Sequence, residues 1–111
     1  MNINQKDLVL LPYPFSNLKE KKVRPALVVS NNNFNEMCYD CVAVPLTSVI
    51  KEEPFSILIN QSDLSNGRLL KSSRIRIDKI FSVEKKLVQM KIGAVSDSFF
   101  HKIKDELTEV F

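Results

Sequence analysis

Side chains able to handle a phosphate recur along this chain at strand-like spacing. Arg24 stands directly before Pro25. A residue before proline is pushed to extended geometry, so Arg24 is expected to sit stiffly at the mouth of a strand. A planar guanidinium fixed there suits a phosphate, although an Arg-Pro pair on its own equally describes an exposed strand end. Lys22 lies close by in Lys21-Lys22-Val23-Arg24. Thr47 and Ser48 follow Pro45-Leu46. Their adjacent hydroxyls can bond a phosphate or a sugar hydroxyl, or simply close a local turn. In Ser73-Arg74-Ile75-Arg76-Ile77-Asp78-Lys79, strand alternation puts Arg74, Arg76 and Asp78 on one side. A cation and a carboxylate so placed can divide acid and base roles, or form a solvent-facing ion pair worth about 0–1 kcal/mol.

Other chemistries find less support. Cys38-Tyr39-Asp40-Cys41 has the spacing of half a zinc site or a redox pair. Structural zinc takes four ligands, and only His101 adds an imidazole. A thioredoxin-type motif opens a helix, whereas this one runs into a strand, so inert, reduced cysteines are expected. A single His rules out a mechanism with two imidazoles. No carboxylate cluster has metal spacing, so neither a catalytic metal nor a cofactor is expected. The two glycines, Gly67 and Gly93, are too far apart for a P-loop or a dinucleotide fingerprint.

The elements that would carry these residues are mostly strands. Apolar runs at Asp7 to Tyr13, Pro25 to Ser30, Tyr39 to Leu46 and Phe55 to Ile59 each read as a strand. Ser73 to Ile77 and Leu87 to Ile92 alternate, the latter placing Val88, Met90 and Ile92 together. Phe15 to Val23 reads as an exposed loop, and Asn31 to Asn33 and Gln61 to Gly67 as turns. The period then changes. Ser96 and Ser98 are candidate N-caps, and Phe99, Ile103, Leu107 and Val110 recur at helical spacing, predicting a helix of about 14 residues. Short strands followed by one helix predict a mainly β (α+β) fold: a small, largely antiparallel barrel with a C-terminal helix.

The chain's 111 residues are the size of one domain, so residues 1–111 are read as a single unit. With 44% hydrophobic and 26% charged residues the composition is globular, which excludes a disordered chain. The longest apolar run, Cys41 to Leu46, is far short of the roughly 20 residues of a membrane span. The Met1 to Asp7 start lacks signal-peptide character. A soluble, cytoplasmic protein is expected. The net charge of +3 permits a nucleic-acid partner without demanding one.

Taken in order, these segments resemble one known family. Asp7-Leu8-Val9-Leu10, Pro12-Tyr13-Pro14-Phe15-Ser16-Asn17-Leu18 and Lys22 to Ser30 are similar to the start of the PemK/MazF family of toxins. Asn33-Phe34-Asn35, Val44 to Ser48, Leu69 to Ser73, Arg76-Ile77-Asp78-Lys79 and Ile92-Gly93 continue the order. The resemblance implies an SH3-like antiparallel barrel that forms a homodimer. It implies metal-independent, sequence-specific cleavage of single-stranded RNA by attack of the 2′-hydroxyl, held in check by a cognate antitoxin. Arg24 then matches the family's phosphate-contacting arginine, and Thr47 and Ser48 the hydroxyl pair beside it. Arg76 and Asp78 match the arginine and aspartate that the PemK branch uses as acid and base. Lys22, Ser48, Arg74 and Lys79 are the expected substrate contacts. Phe15, Phe55 and Phe81 are candidates for base stacking, or for the core. Three positions depart from the family's pattern. Lys6 stands where members often carry Gly, the loop from Ser16 to Val23 has neither Gly nor His, and Phe81 replaces an arginine of the MazF branch. The alternative on the same barrel is a non-catalytic toxin of the CcdB branch, which binds DNA gyrase.

Overall fold

The computed structural model describes residues 1–12 and 22–111. The chain runs β1 (Asp7–Pro12), β2 (Val23–Val28), α1 (Asn32–Met37), β3 (Asp40–Thr47), β4 (Ser56–Ile59) and β5 (Leu64–Gly67). It continues through β6 (Ser73–Arg76), β7 (Phe81–Glu84), β8 (Met90–Val95) and α2 (Asp97–Val110). The strands form one curled antiparallel sheet in the order β4-β6-β3-β2-β1-β8-β5, with β7 also paired to β3.

β3 is the pivot. One edge pairs β2 from Ala43 to Pro45, while the other pairs β7 from Asp40 to Ala43 and then β6 at Leu46 and Thr47. Pro45 falls at this change of partner. Val42 directs its N–H and C=O to Ser30 and Val29 on the β2 side, so alternation turns the Pro45 nitrogen to the other edge. That edge is open between β7 and β6, and a proline there costs no ladder bond.

Alternation along β1 to β3 feeds two cores. Leu8, Leu27, Val44 and Leu46 meet Ile59, Ile75, Ile77 and the α2 residues Phe99, Phe100 and Ile103. Val9, Leu11, Ala26, Val28, Cys41 and Ala43 meet Ile3, Val83 and Val88 on the other side. With both faces covered, these strands read as unbroken apolar runs. Ser96 caps α2 by accepting a hydrogen bond from the Phe99 amide at 3.2 Å. Of the expected apolar stripe, Phe99 and Ile103 are buried, Leu107 is partly buried and Val110 is exposed.

Several expectations are corrected. Asn31 N-caps α1 instead of closing a turn, its side chain accepting from the Phe34 amide at 2.8 Å. Gln61–Asp63 is a 3₁₀ turn, and Leu64–Gly67 is a strand paired with β8. β8 begins only at Met90, so Val88 is buried while Met90 stays exposed. β7 was not anticipated, because Phe81 to Glu84 is short and lacks turn residues at its ends. Most of the predicted Phe15 to Val23 loop lies outside the described residues, and Val23 itself opens β2. Among the described residues no helix is long and apolar enough to cross a membrane.

Candidate active site

The expected site residues gather where β2, β3 and β6 end. Thr47 pairs with Arg74 across β3 and β6. The β2–β3 ladder closes at Ala26 and Pro45, two residues short of Arg24 and Thr47. Thr47 and Arg74 form a short row across β3 and β6, with Arg76 one alternation further along β6 and Arg24 near the start of the adjacent β2.

Two hollows flank this row. The larger, about 390 Å³, has Leu10, Pro25, Leu46, Leu69 and Ile92 in its lining, with Lys22, Arg24, Ser48 and Lys71 among them. The smaller, about 200 Å³, is lined by Thr47, Val49, Lys51, Glu53, Arg74 and Arg76. Thr47 and Ser48 are consecutive, so the end of β3 divides the two. Thr47 Oγ1 accepts from the Val49 amide at 3.2 Å, which turns the chain out of the strand. Lys79 is exposed and lines neither hollow.

The Nε of Arg24 is buried and has no hydrogen-bond partner among the described residues. An unsatisfied buried donor costs about 1–3 kcal/mol, and few are found in folded proteins. Arg76 grips Asp78 in a bidentate pair, with Nε to Oδ1 at 3.1 Å and Nη2 to Oδ2 at 2.9 Å. These hydrogen bonds, aided by the guanidinium charge, hold the Asp78 carboxyl below the usual carboxylate range. Asp78 does not share a strand face with Arg74 and Arg76, as the alternation implied. β6 ends at Arg76, and Asp78 sits in the 3₁₀ turn Ile77–Lys79, reaching back to Arg76 from there.

Other expected residues stand apart. His101 is exposed on α2. Cys38 is partly buried and Cys41 fully buried, both as free thiols, and burial raises the Cys41 pKa. Among the described residues, no three His, Cys, Asp or Glu side chains converge as a metal site would require. Phe55 is exposed beside β4, Phe81 packs partly against the second core, and Phe15 lies outside the described residues. Sequence spacing missed Ser56, Lys51 and Lys71. Nothing local marks them, because they reach the site only through the β4–β6 pairing and the strand-end connections.

A curled antiparallel sheet backed by a C-terminal helix, with guanidinium and hydroxyl groups at its strand ends, defines a small half-barrel protein. The chain belongs to the PemK-like, MazF-like toxins of type II toxin–antitoxin systems, whose family model matches residues 4–111. Solved structures agree on the fold. A MazE–MazF complex from Deinococcus radiodurans (Form-III) superposes with a TM-score of 0.80 at 19% identity, covering 99% of this chain and 96% of the other. An endoribonuclease in complex with its cognate antitoxin, from Mycobacterial species, gives 0.78 at 22% identity over 96% and 92% of the two chains. An endoribonuclease from Mycobacterial species gives 0.77 at 23% identity over 98% and 90%. No curated protein matches the sequence. The gyrase-binding alternative gains no support from the family match.

Proposed function

We propose that residues 1–111 form one toxin domain that cleaves single-stranded RNA without a metal. The observation that carries this reading is the Thr47–Arg74 pairing, with Arg76 beyond it gripping Asp78 and Arg24 near the start of the adjacent β2. RNA carries its own nucleophile. Once the 2′-hydroxyl loses its proton and lies in line with phosphorus, its oxygen bonds to phosphorus and the P–O5′ bond breaks. The products are a 2′,3′-cyclic phosphate and a 5′-hydroxyl. The protein needs only a base, help for the leaving oxygen, and positive charge on the phosphate.

Asp78 is ionised at neutral pH and takes the 2′ proton. Arg76 stabilises the departing 5′ oxygen as a permanent hydrogen-bond donor; a guanidinium is a poor acid, so the leaving oxygen takes its proton from solvent water. Their mutual pairing holds both ready in the free protein. As Arg76 turns toward the substrate it loosens its grip on Asp78, and the carboxylate regains basicity. Arg24 and the Thr47 hydroxyl hold the nonbridging oxygens, and the anion supplies the acceptor that Arg24 Nε lacks among the described residues. Lys22, Ser48, Arg74 and Lys79 contact the flanking backbone, and the 2′-OH requirement confines cleavage to RNA. The partners in this reading are single-stranded RNA, a cognate antitoxin and a second copy of the chain, in the cytoplasm. The solved relatives that contain an antitoxin support the second of these.

The test is incubation with a long single-stranded RNA in excess EDTA, with Arg24→Ala alongside. Fragments ending in 2′,3′-cyclic phosphate are expected, formed about 10²–10³ times more slowly by the variant. Intact RNA from the folded protein, or equal cutting by Arg24→Ala, overturns the reading.

A further inference from the structure

The arginine of β6 nearest Thr47 is held from an unexpected side. Arg74 donates from Nε to Ser56 Oγ at 2.9 Å and from Nη2 to the Ser56 carbonyl oxygen at 3.2 Å. The Ser56 hydroxyl in turn donates to the Glu53 carbonyl at 2.7 Å. The hydroxyl proton is therefore committed to Glu53, which leaves the oxygen lone pairs facing Arg74 as acceptors. Both groups are partly buried. The serine is fixed in turn by its own strand, since Ser56 pairs with Arg76 and Leu58 with Arg74 in the β4–β6 ladder.

A guanidinium has two forked edges. Ser56 occupies the Nε–Nη2 edge of Arg74 with its hydroxyl and its carbonyl. Arg74 lines the hollow shared with Thr47 and Arg76, and among the described residues no hydrogen bond from Nη1 engages the outer edge, made by Nη1 and the second Nη2 proton. That edge matches two oxygens of a phosphate in bidentate fashion. A long side chain that would otherwise sample many rotamers is thus set in one orientation before any ligand arrives, which lowers the entropic cost of binding.

We propose that Ser56 is the positioning residue for Arg74, turning the free edge of its guanidinium toward the RNA backbone next to the cleaved bond. The proposal rests on the reading of this groove as an RNA site. Ser56 touches no reacting atom; it acts through Arg74, and Glu53 contributes only its carbonyl.

The test measures steady-state cleavage of a short fluorogenic RNA, and binding of the same sequence as 2′-fluoro RNA, which has no nucleophile. Ser56→Ala is expected to raise KM and weaken 2′-fluoro RNA binding about tenfold with kcat little changed, the pattern of a lost ground-state contact. Ser56→Thr, which keeps the hydroxyl, is expected to restore both. Arg74→Ala is expected to weaken binding at least as much, and adding Ser56→Ala to it should bring no further loss. Arg74→Lys keeps the charge but not the gripped fork, so it should resemble Ser56→Ala; this variant carries the test if Ser56→Ala melts early. A normal KM for Ser56→Ala or Arg74→Lys beside a raised KM for Arg74→Ala overturns the positioning role. So does additivity in the double variant. An unchanged KM in Arg74→Ala removes Arg74 from the RNA groove, and the proposal falls with it.

Discussion

Asp78 shows how a partner sets the chemistry of one residue. Its bidentate bond to Arg76 lowers its pKa, and the lowered value ties it to stability as well as to proton transfer. A carboxyl with a depressed folded-state pKa contributes stability above its unfolded pKa, near 3.9. That contribution fades as pH falls through the folded value. Asp78→Asn should therefore lower the melting temperature slightly at pH 7 and match the parent near pH 2. The effect is small because the pair is partly open to water, where exposed ion pairs contribute little. Thermal scans across this range check it; an equal deficit at both pH values would place the loss in packing and not in charge. The same substitution removes the proposed base, so cleavage should fall at every pH.

At the scale of elements, the junction before β1 carries the clearest strain. Lys6 has φ of 81°, a left-handed conformation that side chains other than glycine seldom adopt. Its backbone is pinned there: the Lys6 amide donates to the Val28 carbonyl, and the Lys6 carbonyl accepts from the Val95 amide, both at 3.0 Å. The turn thus ties β1 to β2 and β8 at the mouth of the sheet. The side chain offsets some of the strain. Its Nζ bonds Asp97 at 2.7 Å in the first turn of α2 and lies 5.9 Å from the Phe100 ring centre. Lys6→Ala keeps the strain and loses both contacts. Lys6→Gly loses the contacts but removes the strain, so it should be the more stable of the two by about 1 kcal/mol. Chemical denaturation of both variants decides this; an alanine variant as stable as the glycine one would show that the turn is not strained. The other tight crossing lies between β5 and β8. A Cβ at Gly67, where φ is 82°, would meet the Ile92 carbonyl oxygen and the Gly93 Cα. Glycine at both positions lets these two backbones cross.

For the whole molecule, the two-sided core still leaves apolar side chains exposed on the strands, Val23, Leu58 and Met90 among them. Exposed large side chains remain elsewhere, including Met37, Tyr39, Leu70 and Phe111, each more than half accessible. Apolar surface of this kind is what an assembly would cover. The proposed homodimer should sediment as one species of twice the chain mass at micromolar concentration. A monomer under those conditions would count against the assembly while leaving the cleavage chemistry to its own assay.

Much of the fold was legible because hydrophobic periodicity acts locally. β1 to β4 and β6, and α2 with its Ser96 cap, follow from runs of Leu, Val and Ile and from the return of Phe99, Ile103 and Leu107 at helical spacing. The polar groups at strand ends were legible too, since Arg24-Pro25 and Thr47-Ser48 are contiguous and their residue types suit a phosphate. β7 and the start of β8 escaped because they owe their pairing to distant partners, β3 and β1. The same reason separates site membership from site geometry. The sequence by itself determined which side chains could handle a phosphate. Only the tertiary structure decided that β4 would bring Ser56 to Arg74, that a 3₁₀ turn would carry Asp78 back to Arg76, and that Thr47 and Ser48 would stand between the two hollows. Strand pairing and turn closure join residues far apart in the chain, and no local pattern encodes which partner a given edge will take.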